Sequence, residues 1–464
     1  MKPKWTICSL LILLLIYFHT ICFGASGNSQ DDAVGIILDI LKSDDQQMQP
    51  VAISMVRDLK GTEVTEALAA ELPNLSVTSQ IQLLSALGDR GDTAALPAVI
   101  DALKSDEQSV RIAALKALGQ LGDASSVNLL AQIAASTKGE EQKAARDSLY
   151  RLRGPGIDEA ILDSIPRAEA KIKVELIGGI GGRNISRGVS VLLKTAKDPD
   201  HKVRIESFRA LKAIAGPEHL PTLVELLLNL QSSSEINEAQ TTIASLARKI
   251  EDTNRRSEVV LAALESAKDI QSRCSLLGVL GKIGDSNSLP VLITALKDNN
   301  VDVKSSAIRA LSEWPTPEPL PDLMEAAQNS ESKIHRILAL RGSVYLLRLE
   351  SERPAEESIE MYRKAMNLAP DASEKKRVLS GLAEVKSLGA LQIAMDYLQD
   401  EALSREAELA VVKIAGNIYP ESTQQAQDAL KKIVQDSKND LVRKEAQELL
   451  NQIDGFVKFK ETIR

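Results

Sequence analysis

A column of apolar residues recurs at a fixed spacing along the first half of the chain. Its members lie 31 residues apart, each near the end of a stretch with helical periodicity: Leu87, Leu118, Leu149, Ile180 and Leu211. Around this column the sequence repeats in outline over the segments Gln80–Gly88, Arg111–Gly119 and Gln142–Tyr150. A fixed period of this size is typical of a solenoid, because each unit is too small to bury its own apolar face. The pattern therefore predicts stacked helical hairpins.

Each period splits into two helical segments joined by a short polar turn. In the clearest unit Leu96–Leu103 forms the first helix, Lys104–Glu107 the turn and Ser109–Leu118 the second helix, which we expect to end at Gly119–Asp123. A proline in the first turn of a helix loses no hydrogen bond. Leu-Pro pairs accordingly open four of the predicted first helices: Leu96-Pro97, Leu220-Pro221, Leu289-Pro290 and Leu320-Pro321.

The repeat frame continues with interruptions. Leu280 lies two periods plus seven residues after Leu211, and we place this surplus in the polar segment Gln231–Glu235, as a loop or a lengthened helix pair. Leu311 follows 31 residues after Leu280, and Glu350–Pro354 reads as a break between helices. We expect a repeat array over residues 31–350 and further helical repeats over 355–455, with about thirteen hairpins in all. The predicted fold is all-α, a right-handed alpha-alpha superhelix.

Composition supports this fold and narrows the partners. Aromatic residues make up 3% of the 464 residues, and small apolar side chains suit close packing of helix on helix. The formal net charge is −8. This acidic balance argues against sequence-independent binding of nucleic acid.

The N-terminal segment has the features of an export signal. Lys2 and Lys4 precede an apolar stretch from Ile7 to Phe18, and small residues follow near Gly24. We expect residues 1–24 to be a signal peptide that is removed, which would place the protein in the periplasm or outside the cell. The alternative is an uncleaved N-terminal membrane anchor, because the apolar stretch could extend to Phe23.

Two of the three cysteines, Cys8 and Cys22, fall inside the predicted signal. The remaining Cys274 cannot form an intrachain disulfide alone, so stability is expected to come from helix stacking.

The hairpin resembles the HEAT repeat, in the short bacterial form that is also found in phycobilin lyases. The resemblance is carried by turns of the form Asp-x-x-x-x-Val-Arg, an alanine-rich second helix and a closing Leu-Gly. It implies a hydrogen-bonded ladder of acidic and basic side chains between neighbouring repeats. The expected ladder residues are Asp198, Arg204, Asp298, Lys304, Arg111 and Arg443.

Two departures from the HEAT pattern qualify this resemblance. Ser105 and Ser437 replace the acid in two turns, and the ladder should be interrupted there. Residues Tyr362–Pro370 are more similar to a tetratricopeptide helix.

The chain offers little that could carry catalysis. His201, His219 and His335 fall in separate repeats, so they lack the spacing of a helical metal site and are expected to be solvated at turns or helix ends. Cys274 aligns with Ile112 and is expected to be buried. We predict no catalytic residue, no metal and no cofactor.

Two other features have structural and functional interpretations. Trp314 could pack against the next repeat or anchor a partner. The glycines of Gly178–Gly182 follow a helix rather than a strand, which disfavours a phosphate loop. Two of them lie inside a predicted second helix, where they would create a soft point.

These observations predict an exported, non-catalytic scaffold that binds other proteins, with no membrane contact beyond the export signal. Partner choice would depend on exposed side chains of the second helices. The alternatives are an accessory subunit of an extracytoplasmic sugar- or redox-processing enzyme, or a lyase resembling the phycobilin lyases. Candidate positions on the binding face are Lys116, Arg146, Arg209 and Arg309.

Overall fold

The computed structural model describes residues 28–43 and 47–463. The predicted signal peptide at residues 1–24 therefore lies outside the described residues. Within them the chain forms 26 α-helices, a few single 3-10 turns and no β-strand. Consecutive α-helices pair into thirteen hairpins, so the all-α solenoid predicted from the repeat is confirmed. The chain divides into two compact units, Met1–Ala215 and Gly216–Arg464.

The first unit contains six hairpins, each formed by an odd-numbered first helix and an even-numbered second helix. Its helices are α1 Asn28–Lys42, α2 Gln49–Asp58, α3 Thr62–Ala70, α4 Val77–Arg90, α5 Leu96–Ala102, α6 Gln108–Leu121, α7 Ser126–Ser136, α8 Gly139–Arg151, α9 Ile157–Ser164, α10 Ala170–Gly182, α11 Val189–Thr195 and α12 His201–Ile214.

The second unit contains seven hairpins built in the same order. Its helices are α13 Leu220–Leu228, α14 Ser233–Ala247, α15 Glu258–Ser266, α16 Ile270–Ile283, α17 Ser288–Ala295, α18 Val301–Ser312, α19 Leu320–Asn329, α20 Lys333–Leu347, α21 Ala355–Leu368, α22 Ala372–Leu382, α23 Leu388–Asp396, α24 Ser404–Ile418, α25 Thr423–Asp436 and α26 Asp440–Ile463.

Within each unit the second helices stack on one another, and the first helices pack against them on one side. The most extensive stacking in the first unit joins α4 to α6, α6 to α8 and α10 to α12. The core lies between the two layers, and the column that defined the repeat forms part of it. All seven of its side chains have no exposed surface: Leu87, Leu118, Leu149, Ile180, Leu211, Leu280 and Leu311.

The second helix ends within the predicted segment Gly119–Asp123, since α6 ends at Leu121 and Gly122 caps it. The placement of the surplus residues was wrong. The surplus residues after Leu211 are not in Gln231–Glu235, since only four residues separate α13 from α14. They lie instead in the ten-residue connection 248–257 between α14 and α15, which contains the 3-10 turn Thr253–Arg255.

No helix in the described part of the chain is both long and apolar enough to span a membrane.

Candidate functional site

The first predicted ladder residue, Arg111, joins two repeats and closes its own turn. Its Nε and Nη2 atoms donate to Oε1 and Oε2 of Glu141 in the next hairpin at 2.8 and 2.9 Å. Its Nη1 donates to the carbonyl oxygens of Ser105 and Asp106 at 2.8 and 3.0 Å. The hydrogen bonds from Arg111 lower the pKa of Glu141 against the opposing effect of burial. The ladder was expected to be interrupted at Ser105, but the link to the next repeat is present, because Glu141 supplies the carboxylate.

The predicted acids of the ladder receive a bond from the preceding repeat. Lys173 Nζ lies 2.8 Å from Asp198 Oδ2, and Arg273 Nη2 lies 2.6 Å from Asp298 Oδ2. Burial would raise the pKa of Asp198, but the hydrogen bonds from Lys173 and from the Asp200 amide outweigh it and lower the pKa. The pKa of Asp298 is lowered by a hydrogen bond from a backbone amide of its own turn and by the hydrogen bond from Arg273. The positive charge of the nearby Lys304 lowers it further.

The remaining basic ladder residues act partly within their own turns. Arg204 Nη1 donates to the carbonyl oxygens of Asp198 and Pro199 at 2.6 and 2.9 Å. Arg443 Nη1 donates to the carbonyl oxygen of Ser437 at 3.1 Å, and its Nη2 pairs with Asp440. In these turns the guanidinium closes the loop that connects the two helices of one hairpin.

Two further bidentate cross-repeat pairs were not found from the sequence. Arg146 Nε and Nη2 donate to Oε2 and Oε1 of Glu175 at 2.5 and 2.6 Å, joining α8 to α10. Arg341 pairs in the same bidentate way with Glu374, joining α20 to α22. The glutamates are only 4% and 3% exposed. The sequence did contain a signal for these pairs: in each, the glutamate follows the arginine by 29 or 33 residues, which is close to the length of one repeat.

The glycine-rich segment of α10 is a packing feature. A Cβ atom at Gly178 would lie 2.8 Å from the Tyr150 hydroxyl, and one at Gly182 would lie 2.8 Å from the Tyr150 ring. Glycine at these positions makes room for Tyr150 between α8 and α10. Burial raises the pKa of Tyr150 to about 12, with Glu206 and Glu175 adding to the shift. A soft point in α10 stays a prediction, which hydrogen exchange tests.

The exposure of three other side chains can be compared with what the sequence predicted. Trp314 is 1% exposed, which agrees with packing and not with an exposed anchor. Cys274 is half-buried and not fully buried, and burial raises its pKa. His335 is 3% exposed, so the expectation of a solvated side chain was wrong. Its Nε2 atom lies 2.8 Å from Ser305 Oγ, and burial and the nearby Lys304 lower its pKa.

The first unit has an open cavity of about 380 Å³ on the stacked second helices α4, α6 and α8. We call it the second-helix groove. Its lining combines a floor of small residues with half-buried aliphatic and exposed polar side chains. The residues used below to define it are Ile81, Ser85, Ile112, Lys116, Asp147 and Arg151.

Of the predicted face positions, Lys116, Arg209 and Arg309 are exposed. Arg146 is held by Glu175 instead.

The residues 28–43 and 47–463 contain no group of three or more His, Cys, Asp or Glu side chains placed to hold a metal ion. The features that the fold does place together are a repeated helical stack, a ladder of ion pairs and a groove across the second helices. These features define a helical-repeat protein of the α-solenoid class.

Comparison with known families identifies the solenoid. The sequence profile of HEAT repeats matches residues 65–149, 159–244 and 257–342, which together are more than half of the chain. The chain belongs to the HEAT-repeat family. No curated protein matches the sequence.

Solved structures with a similar fold include karyopherins. Kap121p bound to Pho4p matches with a TM-score of 0.53 and 12% identity, over 94% of this chain and 55% of that one. Kap121p bound to the extreme C-terminus of the protein phosphatase Cdc14p matches with a TM-score of 0.53 and 11% identity, over 98% and 57%. At this identity the likeness shows the fold alone. The chain spans a little over half the length of these structures.

Proposed function

We propose that the protein is an exported, non-catalytic HEAT-repeat scaffold that binds a protein partner along the second-helix groove. The observation that carries this proposal is the groove itself. Three consecutive second helices line it, so its backbone and its buried floor are held by the repeat stack and need little ordering when a partner binds. HEAT arrays present extended surfaces of this kind.

The contacts beneath the groove support a binding role. Gly88 and Gly119 let α4, α6 and α8 approach closely, since a Cβ at Gly119 would lie 2.8 Å from the Cα of Ser148. The buried Ser148 hydroxyl donates to the Leu115 carbonyl oxygen at 2.8 Å across the same interface. These contacts hold the floor of the groove in one arrangement while Ser85 and Lys116 remain exposed.

Site-specific photo-crosslinking in the organism tests the binding proposal. A photoreactive residue replaces the exposed Ser85 in the groove, and a matched one replaces the exposed Asn128 on the first helix α7. We expect a discrete crosslinked protein from position 85 and none from position 128. Equal crosslinking at both positions, or none at position 85, contradicts the proposed face.

Export requires a separate test. The full chain, tagged at its C-terminus, is fractionated and its N-terminus is sequenced. A periplasmic or extracellular product that begins at Ala25 is expected. A product retained in the membrane with residues 1–24 intact would support the N-terminal anchor instead, and a product in the cytoplasm would contradict export.

A further inference from the structure

Charge is segregated between the two helix layers of the first unit. Summed over the layer, the second helices are basic: α6 carries Arg111 and Lys116 without any acidic residue, whereas α8 has three acidic and three basic residues. In α12 a single acid, Glu206, stands against four basic residues. Summed over the layer, the first helices are acidic: all three charged residues of α9 are acidic, α7 has no charge, and α11 carries one lysine, Lys194. The chain as a whole carries a net charge of −8, so the charge of the second-helix layer is opposite in sign to that of the whole chain.

Several cations of this layer are already paired with a carboxylate of a neighbouring repeat. Arg111 is paired with Glu141, Arg146 with Glu175 and Lys173 with Asp198. The two cations of the second-helix groove differ. Lys116 and Arg151 are exposed, and neither lies within ion-pair distance of a carboxylate in the described part of the chain. A negatively charged partner would therefore gain attraction there without displacing an existing ion pair.

The rest of the groove favours a peptide over a polyphosphate. Ile81 and Ile112 contribute apolar surface to the lining, which also includes three alanines. Asp147 lies one helical turn before Arg151 and would repel a continuous row of phosphates. A protein segment can alternate carboxylates with aliphatic side chains and so match both parts of the lining.

We propose that the second-helix groove binds an acidic protein segment that contains aliphatic residues. Its carboxylates would pair with Lys116 and Arg151, and its aliphatic side chains would contact Ile81 and Ile112. This inference rests on the proposed function and specifies the chemistry of the partner.

The test measures binding of defined fluorescent peptides to the full chain. One probe is a short peptide of Glu, Leu and Ala, and its matched control has Gln in place of every Glu. We expect the Gln peptide to bind at least about tenfold more weakly, and the affinity of the Glu peptide to fall as salt is raised. The double variant Lys116→Glu, Arg151→Glu should weaken the Glu peptide by a similar factor.

Matched variants separate the groove from general electrostatics. Lys194→Glu makes the same change at an exposed lysine on the first helix α11 and should leave the affinity within about twofold. Lys116→Gln with Arg151→Gln removes the charges without adding acids and should give an intermediate loss. Circular dichroism verifies the fold of each variant.

Three results would overturn the proposal. The Glu peptide could fail to bind, or it could bind the double charge-reversal variant as well as the unaltered protein. Alternatively, a thymidine oligonucleotide or vesicles of phosphatidylglycerol could bind more tightly than the peptide and lose binding in the same variant, which would assign the groove to a polyanion.

The photo-crosslink from position 85 distinguishes failure of the proposed protein binding from failure of the inference that the partner is acidic. If it persists in the double variant, protein binding stands and the acidic partner is wrong. If no protein crosslinks at position 85, the proposed function is wrong, and the inference that rests on it is wrong as well.

Discussion

The close approach of α6 and α8 gives the sharpest prediction about stability. Gly119 lies inside α6, and a Cβ atom added there would lie 2.8 Å from both the Cα and the Cβ of Ser148 and 2.9 Å from its Oγ. Because the Cα of Ser148 is part of the α8 backbone, a rotamer change cannot relieve this contact. The substitution Gly119→Ala must move α8 away from α6 or distort one of them.

The expected magnitude follows from opposing effects. Replacing glycine with alanine inside a helix stabilises the helix by about 0.8–1 kcal/mol. Overpacking against a backbone costs about 1–3 kcal/mol. Separation of the helices would also stretch the buried hydrogen bond from Ser148 to the Leu115 carbonyl oxygen, which contributes about 0.5–1.5 kcal/mol. The sum of these effects is a net destabilisation of about 0.5–3.5 kcal/mol.

Gly35 provides the matched control. It lies in α1, and a Cβ atom there would meet nothing within 4 Å. Gly35→Ala should therefore keep the helix gain and stabilise the protein by about 0.5–1 kcal/mol. Urea unfolding followed by far-ultraviolet circular dichroism compares the two variants, and hydrogen exchange should localise the loss to α6 and α8. An equal gain in stability for Gly119→Ala would refute the steric argument.

Three further predictions test the ladder and the buried residues. Glu141 has a pKa below its ordinary value of 4.5, so its bond to Arg111 stabilises the fold above that pH and this contribution is lost as the pH falls through the lowered pKa. Glu141→Gln should thus destabilise most near neutral pH, and a deficit that does not narrow in acid urea titrations contradicts this. Cys274 in the folded protein should react with a neutral thiol reagent more slowly than in the unfolded protein, because burial raises its pKa. Equal reaction rates in the folded and unfolded protein would contradict its partial burial. Trp314→Ala should cost about 3–5 kcal/mol in urea unfolding, since the side chain is 1% exposed, and a loss below about 1 kcal/mol would contradict its role in the core.

Much of the fold was predictable because it depends on local patterns. The column through Leu87 and Leu118 marks positions that every hairpin must bury, and both side chains are fully buried. The surplus between the repeats of Leu211 and Leu280 was detected but misplaced. A polar stretch such as Gln231–Glu235 can form a helix start as readily as a loop, and α14 begins inside it.

The candidate site was less predictable because its parts come from different repeats. Lys116 was recognised as a surface position, but its place in the groove depends on the stacking of α4, α6 and α8. Arg146 was expected on the same face and is instead paired with Glu175. His335 was expected to be solvated and is buried, whereas Cys274 was expected to be buried and is half-buried, since exposure depends on which neighbouring helix covers each side chain.

The sequence by itself determined the repeating unit, its two helices and its apolar column, since a period of 31 residues admits few ways to bury that column. Only the tertiary structure decided which glycines serve close contacts, which charges neutralise one another and where a groove stays open. Those properties arise between repeats, where the distance between two helices is set by side chains about 30 residues apart in the chain.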